Sequence, residues 1–164
     1  MKKNIFILFG ILVFLVLISY FRASGKDFIL EEPIQEIVNL RKSDLKAKTN
    51  KVIYFWTTWC SVCQSNLPLF KFSYKILEKK LNTEFYTVDD ISNGVDFTKQ
   101  YIEKNEIEFP VYIGNEELYR KNFVKGFPTI LFLNEKNRVI FSDTGIITPI
   151  GIFLRMLIVY ITNV

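Results

Sequence analysis

No charged residue interrupts positions 4–21, which read NIFILFGILVFLVLISYF, and the pair Lys2-Lys3 precedes them. At about 1.5 Å per residue, a helix of that length runs roughly 27 Å, close to the hydrocarbon thickness of a bilayer. Tyr20 and Phe21 close the run with interfacial residue types, and Arg22 follows. The pattern predicts one transmembrane helix in a signal anchor over residues 1–22. Lys2 and Lys3 put its N-terminus in the cytoplasm and the rest of the chain outside. The small residues Ala23-Ser24-Gly25 leave cleavage after Gly25, as in a signal peptide, as the alternative. No Cys lies near this point, which excludes a bacterial lipoprotein anchor.

Residues 23–50 read as a lead-in and linker. Glu31-Glu32-Pro33 breaks structure, and Ile34, Ile37, Val38 and Leu40 suggest a short amphipathic helix or a loose covering segment. Ser43-Asp44-Leu45 could start a further helical turn. Lys46 to Lys51 is polar and reads as a solvated linker, with contact to anionic lipid headgroups as the alternative.

From 51 to 164 the pattern is that of one domain. Val52 to Trp56 is continuously apolar and rich in β-formers, which suits a central strand covered on both faces. A helix follows over 61–81 with Pro68 inside it, then a strand over 84–88 that ends at Asp89-Asp90. Helical spacing over 95–105, a short strand over 111–113 and a short helix over 116–123 come next. Phe127-Pro128-Thr129 leads into a hairpin of strands 130–133 and 139–142 around a polar turn. The last helix covers 149–161, with Pro149 in its first turn and Arg155 interrupting its apolar run, too short to span a bilayer. This order predicts an α/β domain with a mixed central sheet, part parallel and part hairpin, and helices on both faces.

Composition narrows the chemistry. Of 164 residues, 49% are apolar and 23% charged, so the chain is not disordered, and 16 Phe supply a core. Histidine is absent, which removes Ser-His-Asp and Cys-His catalysis, HExxH zinc sites and His-held haem. The net charge is +4, from 21 basic and 17 acidic residues. Without Lys2, Lys3 and Arg22 the remainder holds 18 basic against 17 acidic residues. That balance offers no basic face, and no nucleic-acid partner is expected.

The two cysteines stand together in Trp59-Cys60-Ser61-Val62-Cys63, between a buried strand and a helix. Two thiols at this spacing on a first helical turn can close a small disulfide ring. Cys60 sits where backbone N–H groups point outward unsatisfied, and the helix dipole there favours a thiolate, the form that attacks a disulfide. Cys63, one turn in, is the expected resolving thiol. Zinc needs more ligands than two Cys without His, so no structural metal is expected. A copper(I)-binding module that uses the two thiolates, or two inert buried cysteines, are the other readings.

These residues resemble the thioredoxin superfamily over about residues 50–161. The resemblance rests on Tyr54-Phe55-Trp56-Thr57-Thr58-Trp59-Cys60-Ser61-Val62-Cys63, on Pro68, on Phe109-Pro110-Val111 and on Gly126-Phe127-Pro128-Thr129. Within it the chain looks most like the membrane-anchored TlpA-like branch of ResA, DsbE and ScsD types, and closest in pattern to the ScsD type. The resemblance implies a thioredoxin fold over 51–164 behind the single N-terminal helix. It implies a cis Pro128 facing the cysteines, with Phe127 presenting its backbone to substrate and Trp59 on the rim. Tyr54 stands where thioredoxins commonly bury an acid, which puts an acid-assisted proton relay in doubt; Tyr54 itself reads as core. Asp89 and Asp90 read as a solvated turn.

The expected activity is extracytoplasmic thiol–disulfide exchange through a Cys60–Cys63 pair that needs no cofactor, since the sulfurs carry the electrons. Partners are proteins bearing disulfides or thiols, with a membrane electron donor to restore the dithiol. A reducing role at the bacterial cytoplasmic membrane, with the domain in the periplasm or outside, is the first expectation. An oxidising or isomerising role is the alternative.

Overall fold

A computed structural model describes residues 2–23, 26–43, 45–78 and 80–162, without the side chains of residues 2–5, 8, 9, 12 and 22. The first helix, α1 (Lys2–Ala23), takes in the whole apolar run. Among the described residues, no helix is long and apolar enough to cross a membrane. Phe6, Phe14 and Phe21 stay exposed, whereas Val16, Ser19 and Ala23, spaced by three and four, turn toward the domain. The alternative cleavage point involves Ser24 and Gly25, which lie outside the described residues.

The lead-in holds strands where a helix or loose cover was expected. β1 (Lys26–Asp27), β2 (Ile34–Gln35) and β3 (Lys42–Ser43) are each two residues long. β2 and β3 pair antiparallel. Phe28, Ile34, Ile37 and Leu45 are buried from this segment: four anchors at irregular spacing suit a strap across the sheet better than one helix face. The expected turn at 43–45 includes Asp44, outside the described residues. Lys51 also departs from the solvated linker. It is fully buried, and its Nζ donates to the carbonyls of Ala47 and Thr49 at 2.8 Å each. Burial pushes its pKa below the usual lysine range.

The remaining elements lie close to their expected places: β4 (Asn50–Trp56), α2 (Ser61–Leu77), β5 (Thr83–Asp89), α3 (Val95–Lys104), β6 (Val111–Ile113), α4 (Glu116–Lys121), β7 (Thr129–Leu133), β8 (Arg138–Thr144) and α5 (Pro149–Thr162). α2 stops four residues short of the expected end, and the chain turns through left-handed backbone at Leu81 and Asn82. The main sheet runs β1-β8-β7-β4-β5-β6. β4, β5 and β6 are mutually parallel, while β7 is antiparallel to β4 and β8 to β7. β1 pairs β8 at one edge. At the other, Glu36 bridges Tyr112 and the Ile37 N–H donates to Val111, covering β6.

Period-two alternation divides the core. Val52, Tyr54 and Trp56 face one side with residues of α2, α3 and α5; Ile53 and Phe55 face the other with Leu118 of α4 and the lead-in. The expected mixed sheet with helices on both faces is thus the observed one.

One buried ion pair ties the last helix to this frame. Arg155, nearly buried, pairs its Nε with Asp143 Oδ2 at 2.6 Å. It also donates Nη1 to the Gly151 carbonyl and Nη2 to Asp143 Oδ1, and lies over the Phe132 ring. Ser19 of α1 donates to Asp143 Oδ2 at 2.8 Å. Removing one partner strands the other charge, which costs several kcal/mol at a fully buried pair. Asp143→Ala is expected to lower unfolding free energy by about 2 kcal/mol, measured by urea denaturation, because Asp143 keeps some solvent contact. The double change Asp143→Leu with Arg155→Met should restore most of the loss. A single variant as stable as the parent would show that the pair contributes nothing.

Candidate active site

β4 delivers the cysteine pair. Its seven residues are all buried, so the chain leaves the sheet at Thr57 with no freedom to spread, and α2 begins within four residues. Cys60 is the N-cap of α2: its backbone is extended and its sulfur accepts the Cys63 N–H at 3.1 Å. A sulfur in this place takes one of the helix's orphan donors. Cys60 and Cys63 are joined as a disulfide. Cys60 keeps 7% of its surface exposed and Cys63 only 1%, so approach is from the Cys60 side.

Pro128 lies opposite. The Phe127–Pro128 peptide is cis, as the resemblance implied, and the Phe127 carbonyl oxygen lies 3.6 Å from Cys60 Sγ. Thr129 donates its hydroxyl to the Gly126 carbonyl at 2.7 Å, and Gly145 N–H donates to Pro128, so both flanks of the bond are tied. Trp59 is exposed on the rim, in edge contact with Phe127 at 6.1 Å between centroids. Its indole N–H is held by Ser92 Oγ at 2.8 Å and by Asp90 Oδ2 at 3.3 Å. Cys60, Trp59 and Phe127, singled out from the sequence, thus meet at the rim, with Cys63 and Pro128 buried behind them.

Tyr54, on the strand before the pair, and Asn66, on the helix after it, carry no charge. Tyr54 is fully buried, stacked on Phe70 at 4.1 Å, and burial pushes its hydroxyl up to about 12. The Asn66 amide approaches that hydroxyl at 3.5 Å and accepts the Ile147 N–H through Oδ1. Asn66 was missed in the sequence. Its signal was the spacing: three residues past Cys63, it falls on the same buried helix face.

Asp89 is a correction. It is fully buried, not part of a solvated turn. In register beside Trp56 at the end of β5, it curls so that Oδ1 accepts the Ile91 N–H at 2.7 Å. Burial pushes its carboxyl up to about 7, with the Asp90 charge adding in the same direction. Only Asp90 stays at the surface turn, where it binds Ser92 and Trp59.

Between 3.8 and about 7 the folded chain thus holds a proton at Asp89 that the unfolded chain has released. Stability falls as pH rises through that window and levels off above it. Asp89→Asn removes the effect. Its advantage over the parent in urea unfolding is expected to grow from about pH 4 to about pH 7, by no more than roughly 1.4 kcal/mol per pH unit, and then to hold constant. A constant difference across the whole range would mean that Asp89 titrates normally.

Comparison with known proteins fits this geometry. The AhpC/TSA family model matches residues 23–148. The thiol-disulfide oxidoreductase ResA of Bacillus thuringiensis subsp. konkukian is 30% identical over 162 residues, covering 88% of this chain and 91% of that protein. The sporulation thiol-disulfide oxidoreductase A of Bacillus subtilis is 26% identical over 100 residues, 59% of this chain, and the match spans only 60% of that relative's length. Among solved structures, StoA from Bacillus subtilis superposes with a TM-score of 0.67 at 20% identity, covering 75% of this chain and 93% of that one. A thiol-disulfide isomerase from Corynebacterium glutamicum gives 0.69 at 16% identity, with 80% and 95% covered. The fold is thioredoxin-like, and the chain belongs to the AhpC/TSA family, with relatives that are named thiol-disulfide oxidoreductases.

Proposed function

We propose that the chain, as a thiol–disulfide oxidoreductase, reduces disulfides of partner proteins on the outer side of the cytoplasmic membrane. The observation that carries this reading is the Cys60–Cys63 disulfide at the N-cap of α2, faced by the Phe127 carbonyl of a cis peptide. In the reduced protein the Cys60 thiolate attacks one sulfur of a partner disulfide. The other partner sulfur leaves and takes a proton. Cys63 then attacks the Cys60 sulfur of the mixed disulfide, closing the internal disulfide and releasing the second partner thiol. Two electrons and two protons pass to the partner, and a dithiol donor must restore the pair. Phe127 and Pro128 receive the partner's backbone and Trp59 its apolar side chains.

Direction follows from how the thiolate is held. Stabilising it favours the reduced form and makes a protein more oxidising. The contacts of the Cys60 sulfur are an N–H and a carbonyl, and the buried polar pair of the same core, Tyr54 and Asn66, is neutral. Without a cation in these contacts the pair is poised toward reduction of partners.

Anchoring rests on the apolar run of α1. Its docked turns, from Val16 to Ala23, leave about 21 Å of helix beyond the domain, short of the roughly 30 Å hydrocarbon core. Full insertion therefore requires the Ser19 contact with Asp143 to open.

Cys63→Ser should accumulate mixed disulfides with partner proteins, resolved on non-reducing gels, while Cys60→Ser traps few. Equal trapping by both would overturn the assignment of attacking and resolving thiols. Location and direction are read together with a membrane-impermeant maleimide on intact cells. The native pair should be labelled, which needs thiols that are both outside and reduced. Labelling only after added reductant would instead support an oxidising protein, and labelling only after lysis a cytoplasmic one.

A further inference from the structure

Four rings run in a continuous row from the sheet to the rim of the disulfide. Phe55 of β4 meets Tyr119 of α4 at 5.7 Å between centroids, Tyr119 meets Phe127 at 5.4 Å, and Phe127 meets Trp59 at 6.1 Å. Each pair is edge to face, with interplanar angles of 87°, 83° and 84°. Both ends of the row are fixed. Phe55 is fully buried in β4, and the Trp59 indole is pinned by Ser92 and Asp90. Phe127 lies between them, carrying the carbonyl beside Cys60 Sγ.

The chain has made room for Tyr119 in this row. Asn115 caps α4 by accepting the Leu118 N–H at 2.8 Å, and Leu118 buries itself in the core, which fixes the face from which Tyr119 projects. The phenol lies over Gly114. A Cβ there would fall 2.6 Å from Tyr119 Cζ and 2.7 Å from Val88 Cγ1, so a larger residue would expel the ring. The hydroxyl is buried without a hydrogen-bond partner among the described residues. The contact that Tyr119 contributes is therefore its ring, and the hydroxyl adds no bond to hold it there.

We infer that Tyr119 is a positioning residue for disulfide exchange with extended peptide substrates. Its ring holds Phe127, and through Phe127 the carbonyl that receives the substrate backbone next to Cys60. The inference rests on the exchange activity proposed above and adds a selectivity to it. A peptide disulfide needs the Phe127 carbonyl in register, whereas a small aromatic disulfide needs only the Cys60 sulfur.

The full chain, reduced, is mixed in stopped flow with a disulfide-bonded extended peptide and, separately, with 5,5′-dithiobis(2-nitrobenzoate). An edge-to-face pair contributes about 0.5–1.5 kcal/mol beyond burial, so its loss corresponds to as much as about tenfold in rate. Tyr119→Leu is expected to slow the peptide reaction by about that factor and to leave the small disulfide within twofold. Tyr119→Met, which fills the space without a rigid ring, should behave as Tyr119→Leu does. Tyr119→Phe, which keeps the ring, should match the parent on both substrates. Unchanged peptide rates in the Leu and Met variants overturn the inference. So does an equal loss on both substrates, which marks a purely structural role, or a Phe variant as slow as the Leu variant. A parent protein inert toward both disulfides overturns the exchange reading itself, a result distinct from any of these.

Discussion

Strand β4 has a hydrogen-bonded neighbour on each edge and a packed layer on each face, and all seven of its residues are buried. A strand so enclosed cannot shift register without turning Val52, Tyr54 and Trp56 into the wrong layer. Its end point is thus fixed, and with it the place where the chain turns into α2. The position of the Cys60 sulfur follows from this enclosure. β7 is the antiparallel neighbour of β4, so the same enclosure sets where the chain enters β7, at the cis Phe127–Pro128 peptide. Two loops distant in sequence meet across one pair of strands.

The parts of this arrangement carried by local pattern were legible in the sequence. The apolar run of β4 announced a doubly covered strand, and the position of the cysteines before a helical period announced an N-cap sulfur. The features that depend on distant chain were not legible. Asp89 and Asp90 are adjacent acids with the same local signals. Only the pairing of β5 with β4 decides that the first is buried beside Trp56 and the second meets solvent. Arg155 looked like an interruption of an apolar helix, because its partner Asp143 lies on another element. Tyr119 gave no signal, since its role needs Gly114, Phe55 and Phe127 brought together by the fold. The two-residue strands of the lead-in are too short for any period to show.

No charged side chain contacts the Cys60 sulfur through the bonds described: its partners are the Cys63 N–H and the Phe127 carbonyl. Among the described residues the buried charged groups are Glu36 beside β6, Lys51 at the start of β4, Asp89 at the end of β5, and Arg155, paired with the partly exposed Asp143 where α1, α5 and β8 join. Tyr54 before the pair and Asn66 after it bring a phenol and an amide, which orient by hydrogen bonding without carrying charge near neutral pH. A buried carboxylate there would gain or lose a proton as the sulfurs change charge, and would couple the redox potential to its own titration. With Tyr54 and Asn66 in place, the sulfur environment is set by dipoles: the Cys63 N–H, the α2 terminus and the Phe127 carbonyl.

A site set by dipoles places its demands on geometry. Dipole interactions fall off faster with distance than charge interactions, so a small movement of Phe127 or of the first turn of α2 changes them more than it would change the effect of a full charge. The surroundings match that demand. The flanks of the cis peptide are tied by Thr129 and Gly145, Trp59 is pinned from the β5 loop, and Phe127 is held edge-on by Tyr119. These contacts come from four separate stretches of the chain: β7, the turn after β8, the loop after β5 and α4. The rim is therefore held by aromatic packing together with the Asp90–Ser92 turn, which fix Phe127 and Trp59 beside Cys60.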